Sequence, residues 1–316
     1  MSAHRWTVGV DFGGTNVKVG LVNARGRVVR AHVVSSKAIP QPASFVDGVS
    51  RLVGSLAQSV GTRPAGLRGV GVGAPGPVDV ARGVVHSMVN VPGWHEVPLA
   101  RLLERRLGCR CLVDNDVNLF TLAEWRFGAG RGAGQLVGLT LGTGVGGGLI
   151  MNGTLYRGAC GAAGELGHMV IDPLGPRCGC GRRGCLETLV SAPAVVRLAQ
   201  RTMRRRGARL TSQLVGRAAR AGDSQARRVW IEIGRRLGVG LANVVNLLNP
   251  DCIVIGGGVA NNWTLFAPTL IRTLRAEAME VPVEAVRVVR GRLGDHAGIV
   301  GGAVLVWNEQ KEKTRG

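Results

Sequence analysis

Four side chains in the middle of the sequence have the types and the spacing of metal ligands. Cys178, Cys180 and Cys185 lie within eight residues, and His168 precedes them by ten. Thiolate sulfur and imidazole nitrogen are the usual ligands of tetrahedral structural zinc sites. The spacing C-x-C-x4-C is unlike that of common zinc fingers, and such crowded thiols are poorly placed for disulfides. We therefore predict a structural zinc ion here, and ordinary packing roles for the remaining cysteines, Cys109, Cys111, Cys160 and Cys252.

A glycine-rich turn near the start of the chain has the composition of a phosphate-binding site. The turn Asp11-Phe12-Gly13-Gly14-Thr15 joins two alternating apolar stretches. Its glycines would let backbone N–H groups approach a phosphate, the threonine hydroxyl could donate, and Asp11 could hold a hydrated magnesium ion. Taken alone, these residues could equally form a purely structural hairpin turn that binds no ligand.

The same design occurs a second time. The passage from Val137 to Asn152 resembles the passage from Val8 to Asn23, and its turn contains Thr143 and Gly144. This repetition indicates an ancient duplication and favours a polyphosphate held by both turns. A third glycine run, Gly256-Gly257-Gly258, follows a strand of the buried type and would suit a nucleoside. Neither turn has the spacing of a P-loop, and the first lacks the Rossmann pattern, so those two nucleotide-binding folds are disfavoured.

A pair of acids could supply a general base. Asp114-Asn115-Asp116 stands where a predicted strand runs out into a loop, which is a usual place for catalytic carboxylates in α/β folds. A carboxylate here could accept the proton of an attacking hydroxyl, and the amide could grip another hydroxyl of a polyol. An Asx turn or a helix cap is the structural alternative.

The elements that must position these groups alternate between strand and helix. The periodicity predicts hairpins at 8–23 and 137–152 and strands at 67–73, 110–113 and 252–255. It predicts helices at 45–60, 99–107, about 191–205, 211–220, 223–248 and 297–311. The fold class is therefore α/β with mixed sheets.

The composition is strongly basic, with 40 Lys and Arg residues against 20 Asp and Glu residues and a net charge of +20. Nearly all of this positive charge is arginine, spread along the chain with one dense cluster at 201–209, so a solvated arginine face is favoured over a polyanion site. No apolar run is long enough to span a membrane, and no signal peptide is predicted, so we expect a cytoplasmic protein.

The ordered motifs resemble those of a known family. DFGGT, GAPGPV, NVPGW, DNDVN, TLGTGVGGG, GELGH, CGCGRRGCLE and IVIGGGVA resemble, in this order and over nearly the whole chain, the ROK family of bacterial sugar kinases and repressors. The resemblance implies an actin-like ATPase fold of two lobes with duplicated βββαβα-type cores and the active site in the cleft. The small lobe would comprise residues 1–117 and the closing helix 297–316, and residues 118–296 would form the large lobe with the zinc loop.

The resemblance also implies roles for residues. Asp116 would deprotonate the sugar 6-hydroxyl. Magnesium and ATP would be held by the glycine-rich segments, at Asp11, Gly13, Gly14, Thr15, Thr143, Gly144, Gly256, Gly257 and Gly258. Hydroxyls near C1 and C2 of the sugar would be bound by Glu165, His168 and Glu187, and the others by Asn90, Asn115 and the loop containing Gly73, Pro75 and Gly76. His168 would serve the zinc with one ring nitrogen and the sugar with the other.

The predicted function is that of an ATP-dependent glucokinase. N-acetylmannosamine, N-acetylglucosamine, mannose or fructose could replace glucose, and inorganic polyphosphate could replace ATP, although the first turn and the zinc signature argue against that donor. A non-catalytic sugar-sensing regulator is the alternative from another class. The sequence disfavours it, because the ROK repressors carry a helix-turn-helix before the first turn, and DFGGT begins here at residue 11. We expect no nucleic acid or membrane partner and a homodimer or homotetramer.

Overall fold

The computed structural model describes residues 5–88, 93–203 and 210–313, with the side chains of 310–313 outside the description. The chain divides into two compact units. The first combines Met1–Arg131, Leu155–Ala163 and Leu293–Gly316, and the second combines Gly132–Thr154 and Gly164–Arg292. Each unit is therefore assembled from segments that are distant in the sequence.

The first unit is built on a five-stranded mixed sheet. Its strands are β1 (Trp6–Phe12), β2 (Asn16–Asn23), β3 (Val28–Ser35), β4 (Val70–Ala74) and β8 (Cys111–Asn115), in the order β3-β2-β1-β4-β8. β1 runs antiparallel to β2, and β2 antiparallel to β3, whereas β1, β4 and β8 are parallel. β4, which lies between β1 and β8, is buried along its whole length, as expected for an interior, all-apolar strand of a sheet covered on both faces.

Four α-helices and a small second sheet complete this unit within the described residues. The helices are α1 (Pro42–Gln58), α2 (Leu99–Leu107), α3 (Asp116–Phe127) and α10 (Ala297–Lys313), and the small sheet contains β5 (Val78–Asp79), β6 (Val84–Ser87) and β7 (His95–Val97). α10 lies directly on the main sheet, because a side chain at Gly9 or Gly71 would clash with its backbone. On the opposite side Phe12 and Phe45 stack with ring centroids 4.4 Å apart, and Trp94 packs edge-on against both rings at 5.1 and 5.3 Å.

The second unit has a sheet of the same design. Its strands are β9 (Leu136–Leu141), β10 (Val145–Met151), β11 (Thr154–Tyr156), β12 (Cys252–Gly256) and β13 (Arg287–Arg290), in the order β11-β10-β9-β12-β13. β9 is antiparallel to β10 and parallel to β12, which is parallel to β13. The helices are α4 (Leu186–Val190), α5 (Ala192–Thr202), α6 (Ser212–Arg220), α7 (Ser224–Leu248), α8 (Trp263–Glu277) and α9 (Glu280–Ala285).

The strand orders confirm the duplication predicted from the sequence. In each sheet a hairpin with a third strand at its edge is followed by two strands parallel to the first of the hairpin. β1 thus corresponds to β9, β4 to β12 and β8 to β13. The two glycine-rich turns occupy the same position in this scheme, between the two strands of the hairpin.

The sequence missed two long helices for identifiable reasons. Eight consecutive residues of α3, Val117–Glu124, are buried, so the helix lacks the one-sided apolar periodicity that reveals a surface helix. Pro268 inside α8 is a residue that normally argues against a helix. The lobe boundary expected after residue 117 also differs from the structure, because α3 packs against α10 and β4 and so belongs to the first unit. Among the described helices, none is long and apolar enough to cross a membrane.

Candidate active site

Three predicted site segments of the first unit meet at one edge of its sheet. β1, β4 and β8 are parallel, and their register places Asp11 beside Gly73 and Gly73 beside Asp114. The first glycine-rich turn, the loop after β4 and the acidic motif after β8 therefore all leave the sheet at the carboxyl ends of adjacent strands. Ligands of open α/β sheets bind at this edge.

The acidic motif begins a helix rather than a loop, which corrects the sequence prediction. Asn115 is the N-cap of α3, and its side-chain oxygen accepts from the N–H groups of Val117 (2.9 Å) and Asn118 (3.3 Å). Its amide nitrogen donates to the carbonyl of Gly76 at 3.2 Å. The helix cap that was the structural alternative is thus correct for Asn115, and it also ties the motif to the loop after β4.

Asp116 is the first residue of α3, where the helix dipole favours a negative charge. Its Oδ1 accepts from the N–H of Val117 at 2.9 Å. The backbone of Gly73 packs against it closely, since a Cβ on Gly73 would lie 3.2 Å from the Asp116 Cα and 2.9 Å from Leu119. The helix terminus and this packing fix the position of the carboxylate.

The loop after β4 is shaped by glycine at both of its ends. Gly76 has a φ of +88°, and a Cβ there would meet the carbonyl oxygen of Ser87 at 2.5 Å. The Asn115 amide, which donates to the Gly76 carbonyl, joins this loop to the start of α3, and the sugar-binding role of Gly73, Pro75 and Gly76 stays a prediction. Asn90, which was assigned to the same function, lies outside the described residues.

A buried ion pair behind Asp116 was not predicted. Asp114 is 1% exposed, and its Oδ2 accepts from Arg157 at 2.9 Å (Nε) and 2.7 Å (Nη2). Its other oxygen accepts from the Asn118 amide at 2.8 Å. Arg157 directly follows β11 and lies in the short segment Leu155–Ala163, which belongs to the first unit and precedes the motif GELGH. The spacing of residues in the sequence did not indicate that Asp114 would pair with a residue so far along the chain.

The first glycine-rich turn is held from outside by Ser36. The Ser36 hydroxyl donates to the Gly13 carbonyl at 2.7 Å, and its N–H donates to the Thr15 carbonyl at 2.9 Å. A Cβ on Gly14 would meet no atom within 4 Å, and the φ of Gly14 lies outside the left-handed region. The protein itself therefore gives no reason for glycine at position 14, whereas the close approach of a ligand would.

Asp11 is a largely buried carboxylate beside this turn. Burial raises its pKa, the cation of Lys18 on the neighbouring strand lowers it, and Asp295 raises it further. The Lys18 ammonium is bonded to the Asp295 carboxylate at 3.0 Å. A buried carboxylate that is only partly compensated is a suitable partner for a divalent cation.

The second glycine-rich turn, in the second unit, lies beside the third glycine run. β9 and β12 are parallel and pair Thr140 with Gly256, and Gly257 has a φ of +84° with its Cα against the Leu141 backbone. Side chains at Gly142 and Gly258 would meet no atom within 4 Å, as at Gly14. Thr143, Gly144 and the run Gly256–Gly258 thus form one glycine-lined edge of this sheet.

The predicted metal ligands converge. The four ligand atoms of His168, Cys178, Cys180 and Cys185 lie within 4.8 Å of one another, with Cys180 Sγ 3.6 Å from Cys185 Sγ and Cys178 Sγ 3.7 Å from His168 Nδ1. Ligands about 2.3 Å from a tetrahedral ion are about 3.8 Å apart, so the cluster has the size of a zinc site. Burial raises the pKa of Cys178, and burial with the neighbouring thiols raises that of Cys185 to about 12. A dication would favour the thiolates at both positions.

The cluster is continuous with the carboxylates expected to bind sugar. His168 directs Nδ1 toward Cys178, and its Nε2 lies 3.8 Å from Glu165 Oε2. Glu187 places Oε1 3.7 Å from Cys178 Sγ, and its Oε2 accepts from the Val145 N–H at 3.0 Å. The contact with Val145, beside the second turn, was not predicted.

Comparison with known proteins gives a consistent result. Residues 7–309 match the model of a family described as the ROK family. The glucokinase of Thermotoga maritima is 34% identical over 95% of this chain and 96% of its own length. A solved ROK family glucokinase from Streptomyces griseus, in complex with glucose and AMPPNP, is 33% identical, with a TM-score of 0.83 over 96% of this chain and 99% of that one.

Transcriptional repressors also match. A putative xylose repressor from Caldicellulosiruptor sp. is 29% identical over 95% of this chain, which covers 77% of the repressor. The similar proteins therefore include both enzymes and regulators.

Proposed function

The chain belongs to the ROK family, and we propose that it transfers the γ-phosphoryl group of ATP to the 6-hydroxyl of a hexose, with glucose as the first substrate. The family and the actin-like α/β fold predicted from the motifs are confirmed. The observation that carries the proposal is the meeting of the first glycine-rich turn, the loop after β4 and Asp116 at one sheet edge. The curated glucokinases, matched over nearly their full length, support glucose.

Asp116 would act as the general base. Its carboxylate accepts the proton of the 6-hydroxyl as that oxygen attacks the γ-phosphorus, and the bond to the β-phosphate oxygen breaks. The start of α3 and Gly73 hold the carboxylate in place, so little reorganisation is needed on reaction.

The glycine-rich segments would bind the donor. Backbone N–H groups around Gly13, Gly14, Thr143 and Gly144 suit phosphate oxygens, Thr15 can add a hydroxyl, and the run Gly256–Gly258 suits the nucleoside. Asp11 would hold the magnesium ion, whose charge offsets that of the phosphates when it is bound.

The acceptor would be bound by the polar side chains that the family resemblance assigns to the sugar. Glu165, His168 and Glu187 would take the hydroxyls near C1 and C2, while Asn115, the loop of Gly73, Pro75 and Gly76, and Asn90 would take the rest. Asn115 already uses its oxygen as a helix cap and one amide N–H on the Gly76 carbonyl, so one amide N–H remains for the sugar.

The first experiment measures ADP release and sugar 6-phosphate formation with glucose, mannose, fructose and the two N-acetylhexosamines. ATP and inorganic polyphosphate are compared as donors. We expect the highest kcat/KM with glucose and ATP. Asp116→Asn should lower kcat by about 10²–10⁴ with little change in KM for glucose, whereas Asp47→Asn, at an exposed acid paired with Arg106, should be neutral. Folded, zinc-loaded protein that phosphorylates no sugar would reject the kinase and favour the sugar-sensing regulator.

His168, Cys178, Cys180 and Cys185 would hold a structural zinc ion, which orders the segment carrying Glu165 and Glu187. Elemental analysis of the purified protein should find about one zinc per chain. Cys180→Ser should lose most of it, and Cys160→Ser, at an exposed cysteine outside the cluster, should retain it. Equal zinc in both variants would contradict the assignment.

We also propose a homodimer or homotetramer, as the family resemblance implies. Light scattering at micromolar concentration tests this, and a monomeric mass would contradict it.

A further inference from the structure

We propose that Glu187 is a positioning residue of the second phosphate-binding turn, in addition to the sugar contact proposed for it. The inference rests on the proposed function, since it concerns how the donor site of that reaction is kept in shape. It assigns to one carboxylate a part in holding both substrates.

The first support is a direct contact. Glu187 is the second residue of α4 and lies two residues after the metal ligand Cys185. Its Oε2 accepts from the Val145 N–H at 3.0 Å, at the point where the turn enters β10. The other oxygen lies 3.7 Å from Cys178 Sγ. The half-buried carboxylate therefore connects the metal-ligand segment to the donor turn.

The second support is the glycine at position 144. A Cβ there would lie 2.6 Å from Glu187 Oε2, and the other atom it would meet, 3.6 Å away, also belongs to the Glu187 carboxylate. The φ of Gly144 lies outside the left-handed region, so backbone conformation does not require glycine. Glycine at position 144 therefore leaves room for the Glu187 carboxylate, which any larger residue would displace.

The segment that carries Glu187 holds the turn at both ends. The N–H of Ala192, just beyond α4, donates to the Gly142 carbonyl at 2.8 Å. Within the turn, Gly142 donates to the Gly144 carbonyl at 2.9 Å. In the described part of the chain, no hydrogen bond takes the N–H of Thr143 or Gly144. These two donors are left for a phosphate, and Glu187 fixes the backbone that presents them.

The corresponding turn of the first unit is held by a neutral residue instead. Ser36 supplies both the hydroxyl and the N–H that bind Gly13 and Thr15. The second unit uses a carboxylate that also lies against a metal ligand and is expected to bind sugar. Because one side chain serves both sites, the binding of sugar and nucleotide should be energetically coupled.

The test is nucleotide affinity in the absence of sugar, measured calorimetrically with Mg·AMPPNP. A residue that touched only sugar would not affect this quantity. We expect Glu187→Ala to weaken nucleotide binding about tenfold, the usual loss for a hydrogen bond to a charged group. Glu187→Gln should stay within about threefold of the parent protein, because its amide oxygen can still accept from Val145.

Glu165→Ala is the matched control, since Glu165 lies 3.8 Å from His168 and has no described contact with the turn. It should weaken glucose binding and leave nucleotide affinity unchanged. Gly144→Ala is the second test variant: it retains every metal ligand and Glu187 itself, but its methyl group displaces the carboxylate. It should reproduce the nucleotide defect of Glu187→Ala with full zinc content, and it decides the matter if Glu187→Ala loses zinc or fails to fold.

Unchanged nucleotide affinity in Glu187→Ala or in folded Gly144→Ala would overturn the inference while leaving the kinase intact. A parent protein that binds no nucleotide would instead reject the proposed function. The two failures are therefore distinguishable.

Discussion

At the scale of the residue, the glycines of the candidate site fall into two groups. Gly73, Gly144 and Gly257 have a neighbour within 3.0 Å of the place where a Cβ would stand, so the fold accounts for them. Gly14, Gly142 and Gly258 have none, although glycine costs conformational entropy at any position that does not need it. For the second group we propose the close approach of a ligand as the reason for glycine.

This division can be tested at Gly14. Gly14→Ala should leave the melting temperature nearly unchanged, because the new methyl group meets no protein atom, but it should weaken Mg·AMPPNP binding by at least about tenfold through contact with the ligand. Gly54→Ala is a matched control, since Gly54 lies in α1 with equally open surroundings. That variant should gain about 1 kcal/mol of stability and bind normally. Normal nucleotide binding by Gly14→Ala would remove the first turn from the donor site.

The environment of Asp11 predicts a pH effect. Lys18 lowers the pKa of Asp11, so Lys18→Met should raise that pKa further above its usual value. Because the proposed magnesium site requires an ionised Asp11, the acid limb of kcat/KM for Mg·ATP should move to higher pH. Asp295→Asn should move it to lower pH, since Asp295 raises the pKa. Lys37→Met is the control, because Lys37 is exposed and does not contribute to the pKa shift of Asp11, so its pH profile should be unchanged. A Lys18→Met variant with the same acid limb as the parent protein would contradict the proposed role of Asp11.

At the scale of elements, the site depends on strand register and on one returning segment. The parallel pairing of β1, β4 and β8 places Asp11, Gly73 and Asp114 side by side. The segment Leu155–Ala163 then returns to the first unit and brings Arg157 to Asp114. The motif that carries the proposed base is thus supported by a residue that follows it by 43 positions.

Removing that support should cost stability. Arg157→Leu leaves the buried Asp114 carboxylate without its cation, and we expect a loss of about 3 kcal/mol in the free energy of unfolding, measured by urea denaturation. Arg82→Leu, which removes an exposed cation paired with Asp79, should cost less than about 1 kcal/mol. Adding Asp114→Asn to Arg157→Leu should recover part of the loss, because the uncompensated charge is gone. Equal stability of the two arginine variants would show that the buried pair is not needed.

At the scale of the whole molecule, the net charge of +20 is the most unusual property. Most of the positive charge is arginine spread along the chain, and residues 204–209 of the densest cluster lie outside the described residues. Such a charge attracts anions over a distance set by the ionic strength. One substrate of the proposed reaction is an anion and the other is neutral.

The charge should therefore act on one substrate only. Raising KCl from about 0.05 to about 0.5 M should lower kcat/KM for Mg·ATP several-fold, because screening shortens the reach of the positive field. The kcat/KM for glucose at saturating ATP should change by less than about twofold, since an uncharged sugar is not steered. Equal salt dependence for both substrates would indicate that the charge acts on the fold or on the ion environment instead.

The sequence by itself determined the features that depend on local chemistry and spacing. It indicated the two turns, the duplication, the acidic motif and the cluster of four candidate metal ligands, because a hairpin turn or a ligand cluster is encoded within a short stretch of sequence. Helices with one apolar face, such as α2 and α7, were also evident. α3 and α8 were not evident. Eight consecutive residues of α3 are buried, so its apolar residues show no helical periodicity, and a proline interrupts the helical pattern of α8.

Only the tertiary structure decided which side chains meet across the chain. Asp114 and Arg157 are 43 residues apart, and Val145 and Glu187 are 42 apart. No local pattern encodes such pairs, since they arise from strand register and from the packing of α4 against the second turn. The structure also showed that Asn115 caps α3 and that α3 belongs to the first unit. It showed as well that a side chain at Gly144 would collide with the Glu187 carboxylate. Contacts of this kind depend on the whole fold, because it alone brings distant segments within bonding distance.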